Sequence, residues 1–218
     1  MAGSNARSRR IQRGRGLWSG GAPLVLASRS STRRALLAAA GLNPKVMAAN
    51  VDERALERDH LAGGGSLENL ASRLAEEKAR VASALRPDAY CLGADQTLIV
   101  EGRVLHKSVD LHEAARSLAA LAGRTHRLIS AFCVTRGGQV MIVEADYADL
   151  TMRRLDAAAI ARYLDLAGKS AFSSVGVYRI EGLGVHLFDR IEGDFATILG
   201  IPMFKLLAWM RRENLILL

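Results

Sequence analysis

Nine polar residues interrupt apolar segments or stand at their ends, and their side-chain types suit the chemistry of phosphate groups. They are Ser28, Ser30, Arg33, Glu53, Lys78, Asp95, Gln96, Lys107 and Glu181. Cations and hydroxyls bind phosphate oxygens, whereas carboxylates hold a divalent metal or accept a proton from water. The pattern is compatible with an enzyme that processes phosphates. A set of ordinary solvated side chains is the alternative at this point.

The first apolar segment predicts a strand, a polar turn and a helix. Residues 24–27 are continuously apolar, as in a strand covered on both faces, and Ser30 or Ser31 suits the N-cap of the helix that follows. Arg33 and Arg34 then fall in the first helical turn, where cations oppose the helix dipole. Free amides, hydroxyls and arginines at one helix start indicate an anion site. Two solvated surface arginines remain the other interpretation.

Two further charges fall at positions where apolar residues are expected. Lys78 lies on the apolar stripe of a predicted helix, four residues after Leu74 and three before Val81. Its ammonium either extends to an edge of the protein or points into a cleft. Asp95 interrupts an apolar run, and a buried acid is costly unless it stands at a strand end facing a polar site.

The remaining pattern predicts interleaved helices and strands with hairpins in the middle, and therefore a mixed sheet in an α/β fold. Expected strands cover residues 46–51, 90–100, 104–105, 128–135, 140–152, 175–180 and 185–188. Expected helices cover residues 66–85, 110–122, 156–164 and 203–212, and residues 54–65 are expected to form a loop.

Composition and charge divide the chain in two. The formal net charge is +8, and residues 1–22 contain five arginines, much glycine and serine, and no acid. We expect residues 1–22 to be a disordered basic tail and residues 23–218 to form a single domain. Cys91 and Cys133 lie in apolar stretches, which predicts buried thiols in a reducing cytoplasm rather than a disulfide framework.

Several classes of function lack their sequence signals. The chain has no Walker-type loop, no dinucleotide glycine pattern after the first strand, no Cys/His cluster at metal spacing and no nucleophile elbow. No apolar run approaches the ~20 residues of a membrane span. Without the tail the charge is near +3, so we expect neither a membrane nor a nucleic-acid partner. Association of nucleic acid with the basic tail stays open.

Taken together, the motifs resemble those of the Maf (septum formation) family, in order and at similar spacing over about residues 24–205. Each motif alone is weak, and their combination is specific. They are Ser28-x-Ser30-x-x-Arg33, Val51-Asp52-Glu53, Glu77-Lys78-Ala79, Gly93-Ala94-Asp95-Gln96, His106-Lys107, Asp110 to His126, Val175 to Gly182, Ile191 to Asp194, and Gly200-Ile201-Pro202.

The resemblance implies a mixed, curved sheet flanked by helices, with two lobes around a cleft. It also implies a cytoplasmic nucleoside triphosphate pyrophosphatase that cleaves between the α- and β-phosphates, needs a divalent cation (Mg²⁺, Mn²⁺ or Co²⁺) and often forms a homodimer. Asp95 would accept the proton of the attacking water, and Glu53 would hold the metal together with Asp95. The triphosphate would be held by Ser28, Ser30, Arg33, Lys78 and Lys107.

Three positions bear on the base. Gln96 and Glu181 resemble the branch that acts on 7-methyl-GTP, and a carboxylate suits the N1–H and amine of a purine. Thr32 matches neither that branch nor the dTTP/UTP branch, which has Arg there. The sequence therefore predicts 7-methyl-GTP as substrate, with a dTTP/UTP-type enzyme or a non-catalytic nucleotide-binding regulator of cell division as alternatives.

Overall fold

The computed structural model describes residues 16–218, without the side chains of Lys169, Ser170 and Ser173. The strands are β1 (Leu24–Leu26), β2 (Lys45–Val46), β3 (Tyr90–Val100), β4 (Arg103–Leu105), β5 (Thr125–Arg136), β6 (Gln139–Met152) and β7 (Phe188–Glu192). The α-helices are α1 (Ser31–Ala39), α2 (Glu53–Ala62), α3 (Leu67–Leu85), α4 (Leu111–Leu121), α5 (Ala157–Ala167), α6 (Phe195–Ile198) and α7 (Met203–Arg212). Short 3₁₀ turns cover Gly168–Ser173, Val175–Val177 and Leu183–Leu187.

One mixed sheet organises these elements, in the order β2-β1-β3-β5-β6-β7 with β4 beside β3. Strand β1 runs parallel to β2 and β3, whereas β3, β5, β6 and β7 are antiparallel neighbours. Helices pack on the sheet on both sides of a cleft, which confirms the predicted fold class. Among residues 16–218, no helix combines the length and apolar character that a membrane span requires.

Two hydrophobic clusters share β3 and β5, and the polar residues of interest lie between them. Leu92 and Phe132 belong to one cluster, together with α1 and α7. Leu98 and Leu128 belong to the other, together with α4 and α5. Residues 95–97 of β3 fall between these segments, so the backbone that crosses from one lobe to the other carries the predicted catalytic residue.

Helix α3 lies very close to β3 because alanine and glycine face each other there. Ala75 and Ala79 have no exposed surface, and Gly93 of β3 lies against their backbone. A Cβ added at Gly93 would overlap the Ala75 carbonyl oxygen and lie 2.6 Å from the Ala79 nitrogen. This close approach brings Lys78 of α3 to the strand that carries Asp95.

Replacing Gly93 with Ala should lower the free energy of unfolding by about 1–3 kcal/mol, because the new methyl group overpacks rigid backbone. Thermal or denaturant unfolding measures the change. Gly182 is the matched control, since a Cβ there approaches only the Arg179 carbonyl oxygen at 3.8 Å. Equal stability of Gly93→Ala and Gly182→Ala would contradict the role given to this contact.

The predicted tail is too long at its C-terminal end. The backbone nitrogen of Leu17 donates to the Gly41 carbonyl at 2.9 Å, and Trp18 forms an antiparallel bridge with Ile216. The Trp18 ring also packs edge-on against Tyr90. Residues 16–22 therefore belong to the folded part, because the buried apolar surface of Trp18 outweighs the glycine-rich composition around it. Residues 1–15 lie outside the described residues.

Four local predictions are also wrong. Strand β2 stops at Val46, and the expected loop at residues 54–65 contains α2, whose N-cap Asp52 accepts a hydrogen bond from the Ala55 nitrogen at 2.9 Å. Neither expected strand at residues 175–180 and 185–188 forms as such. The backbone leaves the extended region at Gly176 (φ 80°) and Val177 (φ 63°), and 3₁₀ turns form instead.

Candidate active site

All ten residues predicted from the sequence to form the site line one cleft. The cleft has a volume of about 790 Å³, within the range of small-molecule sites. Its walls come from the start of α1, the start of α2, the middle of α3 and β3, the loop after β4, and residues 174–181. The residues are Ser28, Ser30, Thr32, Arg33, Glu53, Lys78, Asp95, Gln96, Lys107 and Glu181.

Lys78 joins the two carboxylates that the sequence singled out. Its Nζ lies 2.8 Å from Oδ1 of Asp95 and 2.7 Å from Oε1 of Glu53. Lys78 and Asp95 are both 8% exposed, so their ion pair is shielded from water. Burial raises the pKa of Glu53, but Lys78, Lys107 and Arg33 together lower it below its usual value. Of the two sequence interpretations of Lys78, the one that points it into a cleft is confirmed.

Asp95 lies in the middle of β3. From the sequence it is expected at a strand end, because burying an acid elsewhere in a strand is costly. Its backbone pairs with Ala131 of β5, and its side chain faces α3, where Lys78 supplies the compensating charge. An acid in mid-strand is tolerated here because the cleft opens onto this part of β3. The cation that makes the position possible lies 17 residues away in sequence.

Arg33 is held in place by two partners, and the start of α1 is confirmed as capped by Ser30. The Arg33 Nε donates to the Gly200 carbonyl at 2.7 Å, and an η nitrogen donates to Ser28 Oγ at 3.2 Å. Ser30 Oγ accepts from the Arg33 backbone nitrogen at 3.2 Å. Burial lowers the pKa of Arg33, and Asp95 and Glu53 oppose that shift. The guanidinium is thereby fixed as a cation at the start of α1 on the cleft wall.

Lys107 contributes a third cation to the cleft, from the loop after β4. Its partial burial and the nearby Arg33 lower its pKa, while Glu53 and Asp95 act in the other direction. The adjacent His106 places Nε2 3.4 Å from a carboxylate oxygen of Glu57 on α2. The loop after β4 is thus tied to α2 beside the cleft.

The three residues assigned to base recognition differ in how they are bonded. The Gln96 amide nitrogen donates to Ser130 Oγ and to the carbonyl oxygens of Thr197 and Ile198, at 2.9–3.1 Å. Glu181 accepts from Arg179 through Oε1 at 2.8 Å and is exposed. Thr32 is half-buried on α1. Gln96 therefore also anchors α6 to the sheet. Its position in the sequence did not indicate this structural role.

Sequence reasoning missed the pair of His126 and Tyr178, although both fall within motifs that it had recognised. The His126 Nε2 lies 2.6 Å from the Tyr178 hydroxyl, and burial lowers the pKa of His126 to about 4, so the ring is neutral near pH 7. Val177 has a left-handed φ of 63°, rare for a β-branched residue, and its carbonyl accepts from the Tyr163 hydroxyl at 3.1 Å. These contacts fix the segment on which Glu181 stands. His126 stands before the strand expected at residues 128–135, and its position carried no signal of this long-range contact.

The carboxylates suit a divalent cation that is shared with a phosphate ligand. No group of three or more His, Cys, Asp or Glu side chains arranged to hold a metal occurs within residues 16–218. Glu53 and Asp95 nevertheless direct oxygens at a single point, since both lie within 2.8 Å of the same nitrogen atom. Mg²⁺ is commonly held by one or two carboxylates plus substrate phosphates and water. The donor set fits that kind of site.

Fold and cleft together define a mixed α/β protein in which the start of α1, with its buried Arg33, lines the same cleft as a pair of carboxylates. The sequence model of the family described as Maf-like protein matches residues 23–213. Because this match covers most of the chain, the chain belongs to the Maf-like protein family. The resemblance inferred from the motifs is thereby confirmed.

Relatives that align over nearly their whole length carry names of enzymes. A nucleoside triphosphate pyrophosphatase of Nitrobacter winogradskyi is 48% identical over 200 residues, which cover 92% of this chain and 98% of the relative. A relative with the same name from Rhodopseudomonas palustris is 46% identical over 200 residues, with the same coverage. A 7-methyl-GTP pyrophosphatase of Mesorhizobium japonicum is 48% identical over 188 residues, 86% of this chain and 94% of the relative.

Proposed function

We propose that this chain is a nucleoside triphosphate pyrophosphatase, which hydrolyses the bond between the α- and β-phosphates and releases a nucleoside monophosphate and pyrophosphate. The observation that carries the proposal is the meeting of Arg33 and the start of α1 with the Lys78–Asp95 pair in one cleft. The names of the relatives support the same activity.

In this proposal Asp95 is the general base. The water oxygen forms a bond to the α-phosphorus while the bond from that phosphorus to the bridging oxygen breaks. The water proton passes to Asp95, and pyrophosphate leaves with the electron pair of the bridging oxygen. In the free protein the Lys78 ammonium holds the Asp95 carboxylate in place, with Nζ 2.8 Å from Oδ1.

The triphosphate would be held by fixed donors. Arg33 presents a planar fork that its bonds to Gly200 and Ser28 hold in one orientation. Ser30 and the free amides at the start of α1 add neutral donors, and Lys107 adds charge from the loop after β4. Because these groups are already in position, little reorganisation accompanies the development of charge on the phosphates.

A divalent cation, Mg²⁺, Mn²⁺ or Co²⁺, is part of the proposal, with Glu53 and Asp95 as its protein ligands. When bound, such an ion supplies neutralisation of phosphate charge and lowers the pKa of coordinated water. The proposal also keeps a cytoplasmic location and a homodimer as expectations from the family resemblance.

The proposed substrate is 7-methyl-GTP. Gln96 and Glu181 both line the cleft, and a carboxylate at the base favours the cationic, methylated guanine over neutral bases. The name of the Mesorhizobium japonicum relative supports this choice. A dTTP/UTP-type preference is the alternative for the same chemistry.

A substrate panel tests the proposal. Purified full-length protein is given 7-methyl-GTP, UTP, dTTP, CTP and ITP with each of the three metals, and pyrophosphate release is measured. We expect turnover with a marked preference for 7-methyl-GTP. Preference for UTP and dTTP would overturn the base assignment alone. Binding without pyrophosphate release across the whole panel would overturn the activity and favour the non-catalytic regulator.

Replacing Glu181 with Gln should reduce kcat/KM for 7-methyl-GTP about tenfold while changing kcat/KM for unmethylated GTP less, because a charge-assisted contact to the base is lost. The two kcat/KM values are measured side by side. Glu192 is the matched control, since it also pairs with an arginine two residues earlier, Arg190, but lies outside the cleft. An equal loss for both nucleotides would contradict a role of Glu181 in selectivity.

A further inference from the structure

Lys78 makes a contact that its proposed role in phosphate binding does not account for. Its ammonium group is bound to both carboxylates assigned to the metal, at 2.7 Å from Glu53 and 2.8 Å from Asp95. The contact is shielded from water, because Lys78 is 8% exposed and belongs to α3, whose alanines pack tightly on β3. The ammonium therefore occupies the point at which the two carboxylate oxygens converge.

That point is also where an ion held by both carboxylates would have to lie. Divalent metals bind oxygen at about 2.0–2.2 Å, closer than an ammonium nitrogen does, and the space between two oxygens accommodates only one of them. A metal that joined Glu53 and Asp95 while Lys78 stayed beside them would also meet an uncompensated positive charge in a poorly solvated cleft. The metal and the ammonium are therefore competitors.

We propose that the Lys78 ammonium is the resident cation of the carboxylate pair in the free protein, and that a divalent metal binds there only together with a nucleotide that draws the ammonium away. This inference rests on the proposed function and deepens it. It makes Lys78 the residue that couples metal binding to substrate binding.

The cleft contains what this exchange requires. Arg33 and Lys107 both line the cleft and act electrostatically on Glu53 and Asp95, so phosphates bound by these two cations would lie near the carboxylate pair. Phosphate oxygens offer the ammonium new acceptors, so that leaving the carboxylates does not strand a buried cation. The metal then neutralises the two carboxylates and the phosphates together. By linkage, the metal must raise the affinity for nucleotide as much as the nucleotide raises the affinity for metal.

The test measures metal binding without turnover. Binding of Mn²⁺ alone is titrated by electron paramagnetic resonance in the wild-type protein and in Lys78→Gln, and again with the α,β-methylene analogue of 7-methyl-GTP present. The Gln side chain removes the charge and keeps an N–H donor, on a chain one bond shorter than that of Lys. We expect Lys78→Gln to bind Mn²⁺ alone about tenfold or more tightly than wild type. We also expect the analogue to increase Mn²⁺ affinity much more in the wild type than in the variant.

Two lysines serve as controls for charge. Lys107→Gln removes a cation that acts on Glu53 and Asp95 but forms no ion pair with either within the described residues, and Lys45→Gln removes an exposed cation on β2. Neither should tighten the binding of Mn²⁺ alone by more than about threefold. An effect of Lys107→Gln as large as that of Lys78→Gln would show general electrostatics and overturn the proposal.

The wild-type protein alone also provides a test, which matters if Lys78→Gln unfolds. Equal Mn²⁺ affinity with and without the analogue would overturn the inference whatever the variant does. Failure of this inference can be told apart from failure of the proposed pyrophosphatase activity, because Mn²⁺ binding is measured without substrate turnover. If Mn²⁺ and nucleotide strengthen each other's binding but no pyrophosphate is released, the proposed activity is refuted. The exchange of the Lys78 ammonium for a metal is then still supported.

Discussion

Replacing Asp95 with Asn should lower kcat for pyrophosphate release about 10²–10⁴-fold, because a neutral amide does not accept the proton of the attacking water. The protein should remain folded. Asn keeps the shape of the side chain and an oxygen that accepts from Lys78, now at 2.8 Å from Asp95, so the buried ammonium keeps a partner. Initial rates with the preferred nucleotide give kcat, and a melting curve checks the fold.

A second carboxylate on the surface separates this effect from a change in net charge. Asp165 lies exposed on α5, away from the cleft, and Asp165→Asn should leave kcat unchanged. Retention by Asp95→Asn of a kcat within a few-fold of wild type would exclude Asp95 as the base. A loss of kcat that came with unfolding would point to the Lys78 pair as a structural contact instead.

The parts of the fold that were predictable from the sequence are those in which local signals agree with the final packing. The Gly137-Gly138 pair marks the hairpin between β5 and β6, and both glycines have positive φ as such turns require. The caps Ser30 and Asp156 also mark helix starts correctly, each accepting from a backbone nitrogen three residues on. In these places one or two residues determine the local backbone whatever surrounds them.

The elements that were mispredicted have weak local signals. Helix α2 has no fully buried residue, so it lacks the apolar stripe by which a helix is recognised. Residues 175–180 are rich in β-branched and aromatic residues, as strands are. Their shape is nevertheless set by contacts far along the chain, among them the hydrogen bond of Tyr178 to His126, 52 residues away.

The candidate site shows the same division. Residue types and motif order brought out the ten predicted site residues, all of which line the cleft, because charged groups in apolar segments are conspicuous. Their partners were not evident. The Arg33 bond to Gly200 spans 167 residues, and the double contact of Lys78 depends on how closely Gly93 lets α3 approach β3. Sequence reasoning finds the groups, whereas packing decides which of them meet.

The adjacent arginines of α1 allow the anion interpretation to be tested directly. Replacing Arg33 with Lys should reduce kcat/KM about 100-fold although the charge is kept. Lys cannot reproduce the planar fork that bonds Ser28 and Gly200 while presenting further N–H groups to phosphate, and each hydrogen bond to a charged group contributes about 1.5–3 kcal/mol. Steady-state kinetics with the preferred nucleotide measure the loss.

Arg34 gives the matched control, since it is the next residue on the same helical turn but is exposed and does not line the cleft. Arg34→Lys should change kcat/KM by less than about twofold, as expected for a solvated surface charge. A phosphate role for Arg33 also predicts that nucleotide affinity falls along with kcat. If Arg33→Lys lowered the melting temperature but left kcat/KM at the wild-type value, Arg33 would be a link between α1 and the Gly200 turn, and the start of α1 would not be the anion site.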